Sequence, residues 1–222
     1  MGVPVFFDIN ETTLDLSGLK APFESLFGSP WALPEWFGRV LQASHVCAMT
    51  GVDTGFRELA AAGLERSAGL FGVALSPETR DQLLSGFASL PAHPDVAPAL
   101  ERLRGAGFHP VAFSNSSSTL LEAQLRSAGL IDAFETFISV QEVMSFKPHF
   151  AVYHHASTKM GFEPEQCWMV AAHDWDIHGA QAAGMKGAYL ARHTLIYQPA
   201  YLPPRVRADT MPELVDAILA DG

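Results

Sequence analysis

Asp8 is the first residue of this chain placed to do chemistry. It closes an apolar run, Val5-Phe6-Phe7, that reads as a short strand buried on both faces, and the sequence turns polar behind it. In an open parallel α/β sheet, ligands bind beyond the carboxyl ends of the strands, which puts Asp8 at the lip of a crevice. Later apolar runs end in the same way. Ser114-Asn115 follow Pro110 to Phe113, Lys147 lies in the loop after Phe137 to Val140, and Asp176 comes shortly after Cys167 to Ala171. A carboxylate that attacks as a nucleophile needs a cation to keep it ionised, hydrogen-bond donors to steer it and a second carboxylate to activate water. Asp8, Thr12, Ser114, Asn115, Lys147 and Asp176 supply that set. Each has a plainer explanation when taken singly: a turn or helix cap for the polar residues, a solvated loop for the lysine. Their order at successive strand ends has no such explanation.

The elements that must position these residues follow a β/α rhythm with one interruption. From about Leu14 to Pro91 the patterns are helical. Trp36 to Met49 carries an apolar stripe of Phe37, Val40, Leu41 and Val46; Phe56 to Leu70 is rich in Ala and Leu; Pro77 to Leu90 opens with proline in its first turn. Pro91-Ala92-His93-Pro94 reads as the return linker. Strands then alternate with helices, ending in a strand over Gly187 to Leu190, an irregular stretch and a helix over Pro212 to Ala220, which implies a parallel sheet. The fold class is α/β, a Rossmann-like core over 1–13 and 92–222 with an inserted all-helical cap over 14–91.

Composition narrows the function. The chain has 222 residues, 48% of them apolar, enough for a sizeable core. A formal charge of -10, from 14 basic and 24 acidic residues, makes nucleic acid an unsuitable partner. An anionic substrate needs locally placed cations, and Lys20, Lys147, Lys159 and Lys186 are all the lysines there are. No apolar run reaches the roughly 18 residues of a membrane span, no secretory signal pattern opens the chain, and Cys47 and Cys167 do not form a disulfide framework. The expectation is a cytoplasmic enzyme.

The ordered set resembles the haloacid dehalogenase superfamily along essentially the whole chain, and within it the L-2-haloacid dehalogenases. The first motif, an Asp with Thr four residues on, matches Asp8 and Thr12. The second, Ser-Asn, matches Ser114-Asn115. The third, Lys-Pro with a Tyr six residues after the Lys, matches Lys147, Pro148 and Tyr153. The fourth, Trp-Asp followed by Gly-Ala, matches Trp175-Asp176 and Gly179-Ala180. The resemblance implies a helical cap over a Rossmann-like core, usually a homodimer, with no cofactor and no metal. It implies that a short 2-haloacid is displaced in line by Asp8 and that the resulting aspartyl ester is hydrolysed to the 2-hydroxy acid. Lys147 then orients Asp8; Thr12, Ser114 and Asn115 position the substrate carboxylate; and Asp176 activates water with His173 nearby. Phe56 and Trp175 match aromatic pocket positions, Phe37 and Leu41 line the cap side, and Asn10 and Tyr153 complete the binding residues.

Some positions depart from the family pattern. Phe37 stands where those enzymes place a cap arginine, and Arg39 lies two residues on, a helical rotation of ~200°. Ala171-Ala172-His173 replaces Ser-Ser-Asn, and Asn10 replaces an aromatic residue. The competing branch, magnesium-dependent phosphatases and phosphonate hydrolases, carries a second Asp where this chain has Asn10 and a Gly-Asp pair where it has Ala171-Ala172. Asp174 and Asp176 could rebuild a cation site only at a shifted spacing. A catalytically weakened binding protein is the third alternative.

Overall fold

The first apolar run forms β1 (Pro4–Phe7), in which Val5, Phe6 and Phe7 have no exposed surface. It is followed by β2 (His109–Ser114), β3 (Thr136–Ser139), β4 (Trp168–Ala171), β5 (Lys186–Leu190) and β6 (Val206–Ala208). In the computed structural model, which describes residues 2–192 and 196–221, these make one parallel sheet in the order β3-β2-β1-β4-β5-β6. The strand order reverses direction at β1, so a crevice opens at its carboxyl end. Register does the rest. Phe7 pairs with Ala112 and with Val170, so Asp8 emerges level with the ends of both neighbours.

Between β1 and β2 the chain is helical: α1 (Lys20–Phe27), α2 (Ala32–Thr50), α3 (Phe56–Phe71), α4 (Pro77–Gly86) and a 3₁₀ turn over Phe87–Ser89. The chain enters and leaves this layer side by side. Asp15 N–H donates to Pro91 O at 2.8 Å and His93 N–H to Thr13 O at 3.0 Å. Trp36 anchors the layer, donating its indole N–H to Ala60 O at 2.9 Å and packing on Phe23 with ring centroids 5.0 Å apart. A Cβ on Gly63 of α3 would stand 3.2 Å from the Trp36 ring, so glycine lets the two helices approach there. This packing turns Phe37 towards the sheet. The remaining helices are α5 (Val96–Gly105) before β2, α6 (Ser118–Ser127), α7 (Phe150–Met160), α8 (Asp174–Ala182) and α9 (Met211–Asp221).

Several expectations about elements need correcting. Val46 is 53% exposed and does not belong to the apolar stripe of α2. At ~100° per residue it faces away from Phe37, Val40 and Ser44, which are buried. Helix α1 and strand β6 were not expected; β6 is a short edge strand whose three residues are too few to show alternation. Helix α8 begins at Asp174 rather than Ile177, so Trp175 and Asp176 lie in its first turn.

Candidate active site

Lys147 connects the ends of the strands. Its Nζ has no exposed surface and donates to Asp8 Oδ1 at 3.2 Å, Asp176 Oδ2 at 2.9 Å and Phe113 O at 2.9 Å. All its donors are used, so it ties β1, the end of β2 and the start of α8 to one ammonium. Helix α8 can approach this closely because Gly179 faces the Lys147-Pro148 loop; a Cβ there would stand 2.5 Å from Pro148 Cβ and 2.8 Å from Tyr153 Oη.

Asp8 receives further donors. Thr12 Oγ1–H donates to its Oδ2 at 2.8 Å and in turn accepts the Ala172 backbone N–H at 2.9 Å. His173 Nδ1 lies 3.2 Å from the same Oδ2, and its Nε2 lies 2.8 Å from Glu11 Oε2. Burial alone would raise the Asp8 carboxyl, but Lys147 first, then His173 and Thr12, hold it well below the usual carboxylate range. Burial alone would lower His173, yet its bonds to Asp8 and Glu11, with the charges behind them, push the imidazole up to about 10. His173 is therefore an imidazolium between two carboxylates at neutral pH. Its ring lies between Trp175, with centroids 5.2 Å apart, and Phe37, at 6.5 Å.

Asp176 has the opposite balance. Burial first, and the Asp8 charge after it, push its carboxyl up against the pull of Lys147 and Tyr153. Tyr153 Oη–H donates to Asp176 Oδ1 at 2.7 Å, and burial together with the Asp176 charge keeps that phenol protonated.

A small cavity of about 10 Å³ lies over Asp8, lined by Asn10, Phe37, Leu41, Phe56, Asn115, His173 and Trp175. That volume is comparable to one water molecule. Asn115 accepts the Lys147 backbone N–H on Oδ1 at 3.0 Å, which fixes its amide and leaves the NH₂ donors for a ligand. Asn10 is held by Gln124, whose Nε2 donates to Asn10 Oδ1 at 3.0 Å and to Phe87 O at 2.9 Å. A wider cavity of about 380 Å³ lies beside the first and shares Phe56 and Asn115 with it; Arg57, Gln141 and Met144 also line it.

The expected residues therefore divide. Asp8, Asn10, Phe37, Leu41, Phe56, Asn115, His173 and Trp175 line the cavity. Ser114 does not; its Oγ accepts Ser116 N–H at 3.1 Å and shapes the turn after β2. Thr12 is spent on Asp8 and Ala172 rather than on a substrate carboxylate. Tyr153 is buried, with its hydroxyl on Asp176 Oδ1, and does not line the cavity. Asp176 has no exposed surface, and its oxygens accept from Lys147 Nζ and Tyr153 Oη–H. Arg39 turns away, as its helical phase requires, and pairs with Glu35 one turn back. Glu11 and Gln124 were missed. Their partners lie 162 and 114 residues away, a separation that leaves no local pattern.

An ionised aspartate lies at the reversal point of a parallel sheet, bridged through a buried lysine to a second carboxyl, an arrangement suited to a hydrolase. The chain belongs to the haloacid dehalogenase-like hydrolases, whose family model matches residues 5–184. It is similar to (S)-2-haloacid dehalogenase 1 of Pseudomonas sp. (strain CBS-3), 28% identical over 184 residues, 83% of this chain and 81% of that protein. It is also similar to (S)-2-haloacid dehalogenase H-109 of Pseudomonas putida, 25% identical over 217 residues and 97% of each chain. Among solved structures, the L-2-haloacid dehalogenase of Xanthobacter autotrophicus with chloropropionic acid covalently bound superposes with a TM-score of 0.91 at 21% identity, covering 98% of both chains.

Proposed function

We propose that this chain is a hydrolytic dehalogenase that converts a short 2-haloacid to the 2-hydroxy acid through an ester on Asp8. The observation that carries the reading is the Asp8–Lys147 pair at the edge of a small cavity walled in part by Phe37, Phe56 and Trp175. An ionised carboxylate held by a buried cation is a poor base but remains available to attack carbon. Excluding water strengthens each charge interaction and spares the nucleophile its hydration shell. The relatives named for 2-haloacids support the same reaction class.

In this mechanism residues 14–91 act as a cap that parts from the core to admit substrate, since the cavity over Asp8 has room for about one water molecule. The shared wall of Phe56 and Asn115 marks the side facing the wider cavity. Asn115 offers donors to the substrate carboxylate. The rings of Phe37, Phe56 and Trp175 surround the departing halide with their electropositive edges. Homodimer formation, from the resemblance, and a cytoplasmic location, from the composition, belong to the same proposal.

Magnesium-assisted phosphate hydrolysis fits the residues poorly. Ala172 brings no side-chain oxygen where that branch places an Asp, Asp8 and Asp176 are bonded to Lys147, and Asp174 accepts the Trp175 and Gln198 N–H groups. A hard cation needs several free oxygen ligands. The test is chloride release from (R)- and (S)-2-chloropropionate with and without EDTA, beside a phosphomonoester screen. Chloride release that EDTA leaves unchanged is expected. Phosphate release that requires Mg²⁺ would overturn the reading.

A further inference from the structure

A 2-haloacid brings a carboxylate to the cavity over Asp8, yet no lysine or arginine lines that cavity. Its cationic ring, His173, has both nitrogens engaged by Asp8 and Glu11. The substrate charge must therefore be met by neutral donors. Two carboxamides line the cavity, Asn10 and Asn115. An amide holds an anion only with its NH₂ group towards it; turned round, it presents an oxygen and repels. Asn115 is fixed in the favourable sense, because its Oδ1 accepts the Lys147 backbone N–H at 3.0 Å.

Asn10 is fixed from further away. Phe87 O can only accept, so the Gln124 atom 2.9 Å from it is the donor Nε2. The same Nε2 lies 3.0 Å from Asn10, which must answer with its oxygen. Reversing Gln124 would set oxygen against oxygen, and reversing Asn10 would set nitrogen against nitrogen. A backbone carbonyl of the helical layer thus sets the sense of both amides in turn. Asn10 Nδ2 is left with one long contact, to Ser116 Oγ at 3.5 Å. The Phe87 carbonyl is itself held in place: the Phe87 ring packs on Phe37 at 6.1 Å and on Phe56 at 6.3 Å, two walls of the same cavity.

Stability alone does not call for a glutamine at this point of α6. Gln124 has no exposed surface, and its Oε1 is buried with no partner among the described residues. An apolar side chain of the same length would bury no orphaned acceptor. What the glutamine adds is a direction for Asn10.

We propose that Asn10 holds the substrate carboxylate through its NH₂ group, and that Gln124 is the positioning residue that turns this group towards the substrate; this deepens the dehalogenase reading above and rests on it. The NH₂ groups of Asn10 and Asn115 then reach the carboxylate from the ends of the adjacent strands β1 and β2. Being neutral, they grip it without competing with Lys147 for Asp8.

Steady-state kinetics of chloride release from (S)-2-chloropropionate tests this on variants shown by thermal unfolding to be folded. Asn10→Asp keeps an acceptor for Gln124 but offers the substrate an oxygen. A purely structural role for Asn10 survives that change, and the donor role does not. KM should rise by at least about tenfold, the loss of one hydrogen bond to a charged group. Gln124→Met keeps the length of the side chain and removes its donors. KM should then rise by roughly 3–10-fold, because Asn10 is free to present either end of its amide. In an Asn10→Ala background, Gln124→Met should add nothing further to KM, since the residue it positions is gone. The proposal is overturned if Asn10→Asp or Gln124→Met keeps the wild-type KM, or if Gln124→Met raises KM as much beside Asn10→Ala as it does alone. Wild-type protein that releases no chloride from (R)- or (S)-2-chloropropionate would instead remove the dehalogenase reading itself.

Discussion

Lys147 lies closer to Asp176, at 2.9 Å, than to Asp8, at 3.2 Å, and neither Lys147 nor Asp176 has any exposed surface. The lysine is thus anchored on the carboxyl that does not line the cavity and lends its remaining reach to the one that does. Removing one partner of a buried ion pair strands the other charge, at a cost of about 3–5 kcal/mol. Asp176→Ala should lose part of that stability in urea unfolding, since Lys147 keeps Asp8 and Phe113 O as partners, and should lose activity, because Lys147 is then free to collapse fully onto Asp8. A variant of parental stability would show that the pair is not what holds the site.

Tyr153→Phe should separate support from binding. The hydroxyl satisfies Asp176 Oδ1 and does not line the cavity. Leaving a buried acceptor unsatisfied costs about 1–3 kcal/mol. Stability should fall by that amount with KM unchanged; a large rise in KM with little loss of stability would return Tyr153 to the binding residues.

Arg39→Ala should behave like the parent. The guanidinium pairs with Glu35, one turn back on α2, while Phe37 faces the cavity. Steady-state kinetics on 2-chloropropionate should give kcat/KM within about twofold, a ΔΔG‡ of only a few tenths of a kcal/mol. A tenfold or greater rise in KM would give Arg39 the anion-gripping role.

The sheet and the strand-end residues were legible because each rests on a local signal. Val5-Phe6-Phe7 is apolar on both faces, and the polarity change at Asp8 falls where the strand stops. The pairing of Lys147 with both carboxyls follows once the strand order is known. What could not be read is direction and depth. Asp176 and Tyr153 match motif positions, but only the packing of α8 against the Lys147-Pro148 loop turns them into the wall behind the lysine. Glu11 looks like an ordinary turn residue until His173 is brought across to it. Phe37 and Arg39 were separable in advance by helical phase, and the phase argument was sufficient there.

His173 also leaves a mark on stability. Its folded pKa, pushed up to about 10, lies above the ordinary value of 6.5. The imidazolium's contribution is therefore fully present below pH 6.5 and is lost as pH rises through about 10. Asp8 acts at the other end: its carboxyl is depressed, so its contribution is present above the ordinary carboxylate range and lost in acid. Thermal unfolding of the wild-type protein should lose Tm between pH 6.5 and about 10 more steeply than His173→Gln does. Parallel slopes would mean that His173 is not held charged.

The central claim is that Asp8, rather than water, forms the bond to the substrate carbon. A single turnover of (S)-2-chloropropionate in ¹⁸O-water, with enzyme in excess, separates the two routes. If Asp8 attacks, the hydroxy acid carries unlabelled oxygen and the label enters the Asp8 carboxyl, because water attacks the ester carbonyl carbon. Mass spectrometry of the peptide containing Asp8 should show that added label. Label in the hydroxy acid with none in the peptide would contradict the account.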